Sequence, residues 1–169
     1  MADLSTEAGR SRPDFPEAYG IASAPEGMLS WADASDRLTT ARNYWVSTTR
    51  PDGRPHAAPV WGLWLGDTFY FSTDPSSRKG RNIAANPNAV VHLESGDDVV
   101  ILEGILQHVA DPELLTRFVD AYDVKYGFRV DTDNPSSAVF MLRPLVAHAW
   151  MEHNFPQSAT RWILKPPGS

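Results

Sequence analysis

Residues 44–73 read YWVSTTRPDGRPHAAPVWGLWLGDTFYFST, in which three runs rich in β-branched and aromatic residues alternate with turn residues. Runs of this composition, bounded by Gly, Pro and Asp, are typical of β-strands. They predict strands over residues 44–49, 54–65 (interrupted at its prolines) and 68–73, with turns over 50–53 and 66–67. Because the connections are so short, the three strands are expected to form an antiparallel meander.

The rest of the chain adds further strands and a few helices around this segment. Capping residues, a Pro at a first helical position and terminating Gly or Pro predict helices over residues 31–42, 78–85 and 112–126. Strands are predicted over residues 89–94, 98–109 (with a bulge at Gly104), 138–143, 145–151 and 161–164. Since strands outnumber helices, we predict a mainly β fold, an antiparallel barrel with a few covering helices. Residues 1–27 are predicted to form an N-terminal arm, followed by one domain over 28–169.

The composition excludes several classes of chemistry. The chain has 169 residues, a formal net charge of −6 and no Cys, which removes disulfides, thiolate nucleophiles and Cys-ligated metals. The five His residues lack metal-ligand spacing, so no metal site is predicted. The acidic balance argues against nucleic-acid or anionic-membrane binding. Without an apolar run long enough for a membrane span or a secretory signal, we expect a cytoplasmic protein.

A ligand signal lies where the third strand is followed by a helix, over residues 72–82, STDPSSRKGRN. A helix N-terminus offers free N–H groups and partial positive charge, which suit a phosphate group. Arg78 adds a planar pair of donors and Lys79 a point charge. Residues 50–81 contain five basic and three acidic residues in an otherwise acidic chain. The alternative is an ordinary solvated helix start, and the pattern alone leaves both interpretations open.

A second signal is the stretch GRPHAAPVW over residues 53–61. Small residues in a strand allow a flat ring to approach the backbone closely. The alternative is an edge strand that is bent by its prolines. Trp61 and Trp64 lie three residues apart, so on a strand they are expected to point to opposite faces.

The order and spacing of several short pieces resemble the flavin/deazaflavin oxidoreductase superfamily, the split-barrel group that includes pyridoxamine 5′-phosphate oxidases. The pieces are WVST (45–48), PDGRPH (51–56), PVWG (59–62), FYFST (69–73), SRKGRNI (77–83), NP (86–87), LEG (102–104), KYG (125–127) and TRW (160–162). The resemblance implies a homodimer of six-stranded antiparallel split β-barrels. It places the cofactor between the subunits, its phosphate at residues 77–79 and its ring along residues 56–60. The cofactor-binding residues that it implies are Arg54, His56, Ala57, Ala58, Pro59, Val60, Trp61, Ser72, Thr73, Ser77, Arg78, Lys79, Asn82 and Gln107.

The PDGRPH and PVWG pieces resemble the deazaflavin-dependent B branch of the superfamily, whose cofactor is coenzyme F420. The ring strand, AAPVW, lacks the extra cations that pyridoxamine 5′-phosphate oxidases carry there, and the positive region suits the phosphodiester and oligoglutamyl tail of F420. The resemblance therefore implies hydride transfer between F420 and a small apolar substrate with an activated C=C or C=N. Candidate proton donors are His56 and Tyr126, with solvent as the alternative. The alternative functions are an FMN-dependent, pyridoxamine-phosphate-oxidase-like oxidoreductase and a non-catalytic protein that binds flavin, deazaflavin or haem.

Overall fold

Nine strands and four α-helices are found among residues 9–164, the part of the chain that this computed structural model describes. The strands are β1 (Arg10–Ser11), β2 (Asn43–Thr49), β3 (Pro55–Trp61), β4 (Leu63–Leu65), β5 (Thr68–Thr73), β6 (Asn88–His92), β7 (Asp98–His108), β8 (Ala138–Met151) and β9 (Thr160–Ile163). The α-helices are α1 (Trp31–Thr40), α2 (Arg78–Ala85), α3 (Pro112–Tyr126) and α4 (Phe155–Ser158), with short 3₁₀ helices at Glu17–Tyr19 and Glu152–Asn154.

All strand pairs are antiparallel and follow the order β1-β9-β8-β7-β6-β2-β3, with β5 on β8 and β4 on β5. This confirms the predicted mainly β, open barrel with a few helices, although nine strands replace the six that the resemblance implies. None of the helices within residues 9–164 combines the length and apolar character needed to cross a bilayer.

The two hairpins of the predicted meander are confirmed, since β2 pairs with β3 and β4 pairs with β5, but its middle strand is split in two and β5 also pairs with β8. The predicted strand over residues 54–65 breaks at Gly62 rather than at a proline. A Cβ at Gly62 would lie 2.5 Å from the Phe69 ring and 2.8 Å from the Tyr70 carbonyl oxygen. Only glycine allows the chain to pass this close to β5, and β3 is left as an edge strand.

The β2–β3 hairpin determines which backbone N–H and C=O groups of β3 bond to β2 and which point away from it. The Arg50 N–H donates to the Arg54 carbonyl, and the Gly53 N–H donates to the Arg50 carbonyl. Gly53 has a φ of 83°, as expected for the last residue of a three-residue hairpin loop. Because hydrogen-bonded and non-bonded pairs alternate along an antiparallel ladder, the backbone groups of four β3 residues point to the free edge. These residues are Pro55, Ala57, Pro59 and Trp61.

Two other boundaries differ from the sequence-based expectation. Helix α1 ends at Thr40, because Ala41 is already extended (ψ 136°) and leads into β2. The two predicted late strands form one strand, β8, which continues through Pro144. Pro144 lies opposite Gly104, where the register shifts at the predicted bulge, so the bulge accommodates the proline.

The segment before α1 packs on the C-terminal part of the chain. The Arg12 guanidinium donates five hydrogen bonds of 2.5–3.1 Å to four carbonyl oxygens, those of Ala24, Glu26, Gln157 and Ala159. Phe15 contacts Phe155 and Trp150 edge-on, at centroid distances of 5.8 and 6.3 Å. Residues 1–8 of the predicted arm and 165–169 of the predicted domain lie outside the described residues.

Replacing Arg12 by Ala is expected to lower the free energy of unfolding by about 2 kcal/mol, because one charged group bonds four carbonyls that join two distant segments. Arg12→Lys keeps the charge but lacks the planar fork, so it should recover only part of the loss. Urea denaturation followed by Trp fluorescence measures both variants. An Arg12→Ala protein within about 0.5 kcal/mol of the wild type would contradict this role.

Candidate functional site

The predicted phosphate-binding segment forms the N-terminus of α2. The Ser77 hydroxyl caps the helix by accepting from the Gly80 N–H at 3.0 Å, and it lies 3.3 Å from the Thr73 hydroxyl. A Cβ on Gly80 would lie 2.5 Å from the carbonyl oxygens of Asp74 and Pro75. The helix start therefore packs directly on the preceding turn, and glycine is required for this contact.

Three cations lie around this helix start, and the exposed carboxylate of Asp52, which is bonded to Arg54, interacts electrostatically with two of them, Arg50 and Arg78. Arg50, Arg78 and Lys79, here called the cation cluster, form no ion pair within residues 9–164. The Lys79 ammonium lies 5.7 Å from the centroid of the buried Phe71 ring, and burial lowers the pKa of Lys79. Arg81, by contrast, donates to the Ser76 carbonyl at 2.7 Å. The cation cluster is therefore available to an anionic group.

Buried polar atoms without partners lie beside the cation cluster. Asn82 is fully buried and donates to the Thr48 hydroxyl at 3.0 Å, but its Oδ1 has no hydrogen-bond partner among the described residues. The same holds for the buried Nδ1 of His56 and Nε of Arg50. A buried polar atom left unbonded costs about 1–3 kcal/mol. A polar ligand bound here would supply the hydrogen bonds that these three atoms lack.

His56 lies at the start of β3, close enough to the cation cluster for the three charges to affect its imidazole. Burial, followed by the positive charges of Arg50, Lys79 and Arg78, lowers the pKa of His56. A histidine with a pKa below its usual 6.5 is mainly neutral at pH 7. His56 is therefore suited to hydrogen bonding with a bound polar group at neutral pH. Its proposed role as a proton donor stays a prediction.

The predicted ring surface is the free edge of β3. Ala57 and Pro59 are exposed, while Ala58 and Val60 are half-buried on the other face. By the register of the hairpin, the N–H groups of Ala57 and Trp61 point to the free edge, together with the carbonyls of Pro55, Ala57 and Pro59. Two of the four outward positions are prolines, which need no N–H partner there. A flat ring with polar atoms along its rim fits this short row of donors and acceptors.

The far end of β3 is held by α3. Trp61 stacks on Tyr126 with ring planes 5° apart and centroids 4.7 Å apart. The Tyr126 hydroxyl lies within hydrogen-bond distance of the Gly62 nitrogen (3.0 Å), the Gly62 carbonyl (2.8 Å) and the Arg42 carbonyl (2.7 Å). Burial raises the pKa of Tyr126. A hydroxyl engaged with backbone in this way favours a positioning role for Tyr126 over proton donation.

Lys125 also holds the end of β3 against α3. Its ammonium donates to the Tyr44 hydroxyl at 2.9 Å and to the Gly62 carbonyl at 3.1 Å. Burial, together with the charge of Arg42, lowers the pKa of Lys125 to about 8. Trp61 is 38% exposed and Trp64 only 4%, but the two residues lie on different strands, β3 and β4, so the prediction that they point to opposite faces of one strand does not apply.

Not every predicted site residue lies with the others. Arg54 is exposed and bonded to Asp52 at 2.7 Å within the hairpin turn. Gln107 is exposed on β7, which is separated from β3 by β2 and β6. Ser72 is half-buried on β5 opposite Val139. Their roles in binding stay predictions.

The structure adds Thr48 and Arg50, which sequence reasoning did not select as site residues. The sequence does contain a signal for Thr48. It follows Tyr44 and Val46 at the next inward-facing position of β2, where a small hydroxyl side chain is unusual for a buried site. Arg50 belongs to the positive region of the sequence, and the fold shows that its Nε is buried near His56. No group of three or more His, Asp or Glu residues placed to hold a metal occurs within residues 9–164.

A family model described as pyridoxamine 5′-phosphate oxidase matches residues 32–151, well over half of the chain. The chain belongs to this family. Two curated members give the extent of the similarity. A pyridoxine/pyridoxamine 5′-phosphate oxidase of Bacteroides fragilis is 28% identical over 192 residues, covering 95% of this chain and 78% of its own. The corresponding Acidothermus cellulolyticus enzyme is 29% identical over 129 residues, covering 72% of this chain and 54% of its own.

Several solved structures share the fold of this chain at low sequence identity. A conserved hypothetical protein of Mycobacterium tuberculosis matches with a TM-score of 0.64 at 23% identity, over 73% of this chain and 85% of that chain. A protein described as an F420 reductase matches with a TM-score of 0.54 at 24% identity, over 66% and 94%. The haem storage protein HutZ of Vibrio cholerae matches with a TM-score of 0.54 at 13% identity, over 67% and 86%. These three likenesses show a shared fold.

Proposed function

We propose that this chain is an oxidoreductase that transfers a hydride between coenzyme F420 and a small apolar substrate with an activated C=C or C=N. The observation that carries the proposal is the cation cluster, set among the unbonded buried atoms of His56 and Asn82 at the start of the free β3 edge. An anionic group there and a flat ring along the edge together describe a flavin-type cofactor.

Charge and composition support F420 over FMN. F420 carries a phosphodiester and a chain of glutamate carboxylates, so it is more anionic than a flavin mononucleotide. Three cations without ion pairs at one end of β3 suit that greater charge. The ring-strand residues, Ala57 to Trp61, include no cation. The fold shared with a protein described as an F420 reductase is in keeping with this choice.

The residues of the chain would bind and orient the cofactor, which when reduced supplies two electrons and one hydrogen as a hydride. Arg78 and Lys79 would hold the phosphate at the α2 N-terminus, and the free N–H groups of Ala57 and Trp61 would meet the rim of the ring. Tyr126 and Lys125 would fix the end of β3 through Gly62. The proton that completes reduction of the substrate would come from solvent.

We also propose that two copies of the chain pair through the outer face of the sheet. This face carries apolar side chains that are exposed or half-exposed on five adjacent strands: Trp45, Val90, Ile101, Ile105, Val146 and Ile163. Ala57 and Pro59 lie beside it, opposite Ser47 and Trp45. A second copy on this face would cover the ring strand. Light scattering should give twice the mass of one chain, and the mass of a single chain would contradict the pairing.

Two alternatives have specific support. The curated relatives described as pyridoxine/pyridoxamine 5′-phosphate oxidases favour an FMN-dependent oxidoreductase. The shared fold with a haem storage protein is compatible with cofactor binding without turnover. The cation cluster would serve an anionic group of the cofactor in either alternative.

Anaerobic turnover tests the proposed function. Protein is mixed with reduced F420 and a panel of cyclic enones and imines, and oxidation of the cofactor is followed by its absorbance. Substrate-dependent oxidation supports the proposal. Oxidation only with reduced FMN in place of F420 would favour the FMN-dependent alternative, and tight binding without turnover of either cofactor would favour the storage alternative.

A further inference from the structure

A groove of about 520 Å³ lies between α1, β4 and α3, and no residue of β3 lines it. Its floor is formed by β4, where Leu63 and Trp64 are each only 4% exposed. Gly62 separates β4 from β3, and β4 pairs with β5, so the groove and the ring strand belong to different hairpins. A volume of this size over an apolar floor is typical of a site for a small ligand.

One face of α3 forms a wall of the groove. Its lining residues recur every three or four positions, as expected for one side of a helix: Arg117, Asp120, Ala121, Val124 and Lys125. The middle of this wall is apolar, since it consists of the small Ala121 and of Val124, which is 90% exposed. An apolar side chain this exposed is stabilised when an apolar group covers it.

The groove carries more positive than negative charge. The carboxylate that lines it, that of Asp120, is already bonded to Arg129 at 3.1 Å. The cations that line it, Arg117 and Lys125, form no ion pair within residues 9–164. They are separated by two turns of α3, which is about 12 Å along the helix. The groove therefore suits an anion that has an apolar body.

Lys125 is the better placed of these two cations. Two N–H groups of its ammonium donate to neutral oxygens, the Tyr44 hydroxyl and the Gly62 carbonyl, and the third has no partner within residues 9–164. Because Lys125 is half-buried, its charge is screened less than that of the exposed Arg117. Burial, together with the charge of Arg42, lowers the pKa of Lys125 to about 8, as expected for a cation without an opposite charge beside it.

We propose that this groove binds a small amphipathic carboxylate, whose acid group bonds the Lys125 ammonium and whose apolar body lies on β4 between α1 and α3. The carboxylate would accept the free N–H of Lys125 and compensate its charge, while the apolar body would cover Val124 and the half-buried Leu65. An uncharged apolar molecule would leave the ammonium uncompensated. The groove is separate from the ring strand, so this site goes beyond the proposed function.

Binding of octanoate and of octanol tests the site in the absence of any cofactor. The two probes share an apolar chain and differ in the carboxylate. Both are titrated by calorimetry into the wild type and into Lys125→Met, which keeps most of the apolar stem of the side chain. Octanoate should bind Lys125→Met about tenfold more weakly than the wild type, and octanol should lose no more than about twofold. A retained octanol affinity would show that the groove of Lys125→Met is intact.

Substitutions at Val124 give a second measurement that leaves the bonds of Lys125 to Tyr44 and Gly62 in place. Val124→Asp and Val124→Lys remove the same apolar side chain from an exposed position but put opposite charges beside the ligand. Octanoate should bind Val124→Lys about fivefold more tightly than Val124→Asp, and octanol should bind both alike. Ala84→Asp and Ala84→Lys, at an exposed position of α2, are the matched controls and should bind octanoate alike.

Any of three results would overturn the proposal. The first is a wild-type protein that binds no octanoate, and the second is a Lys125→Met protein in which octanoate and octanol affinities change equally. The third is a difference between the Asp and Lys variants that is as large at Ala84 as at Val124. Because these titrations contain no cofactor, none of the three results bears on the proposed F420-dependent activity.

Discussion

The double substitution Arg78→Ala/Lys79→Ala should weaken F420 binding by about 3 kcal/mol, which is more than about a hundredfold in Kd. Neither cation has an ion pair within residues 9–164, so both charges can act on a bound anion, with the exposed Asp52 offsetting part of the charge of Arg78. Lys79 is half-buried over Phe71, where screening by solvent is reduced. The exposed Arg78 contributes the smaller share of the loss. The affinity is measured by the quenching of Trp fluorescence on titration with the cofactor.

A control with the same change in net charge separates local contacts from the general electrostatic field. Arg117→Ala/Arg129→Ala removes two exposed cations from α3 and the loop after it. Its F420 affinity should stay within about threefold of the wild type at physiological salt. If both double variants lose affinity equally, the effect is one of net charge, and the phosphate assignment to α2 is wrong.

Phe71→Ala should lower the free energy of unfolding by about 3–5 kcal/mol. Phe71 is fully buried, 5.7 Å from the Phe69 ring and 5.9 Å from the Phe140 ring. It also lies beneath the Lys79 ammonium, so the cavity opens directly under the candidate site. The surviving folded protein should bind F420 less tightly, because Lys79 loses its supporting ring.

Phe128→Ala is the matched control, since the same side chain is deleted at a position that is 57% exposed. It should change the free energy of unfolding by no more than about 0.5 kcal/mol. Denaturant unfolding gives both values from the midpoint and slope. A Phe71→Ala protein as stable as Phe128→Ala would show that β5 does not pack in the core as described.

The elements predicted most accurately are those whose ends are set by local chemistry. The bounds of α2 agree because Ser77 caps one end and Pro87 follows the other, and both effects act within one turn. The bulge at Gly104 is confirmed for a similar reason, since a glycine that interrupts the apolar alternation of a strand commonly marks a bulge. Helix α3 likewise begins after Asp111 and ends before Gly127.

What could not be predicted depends on partners that are distant in sequence. No local signal reports that β5 also pairs with β8, which places Phe71 opposite Phe140. The same limit applies to the candidate site. The sequence indicated Arg78 and Lys79, but the burial of Arg50 and the contact of Tyr126 with Gly62 arise only when α2, α3 and β3 meet.

The most direct test of the central claim is a fluorescence titration of the purified apoprotein with F420 and, separately, with FMN. The cation cluster and the cation-free ring strand predict tight binding of F420 and clearly weaker binding of FMN, with the F420 affinity falling as salt is added. Tighter binding of FMN than of F420, or a preparation that already carries FMN, would contradict the account and assign the chain to the flavin-dependent alternative.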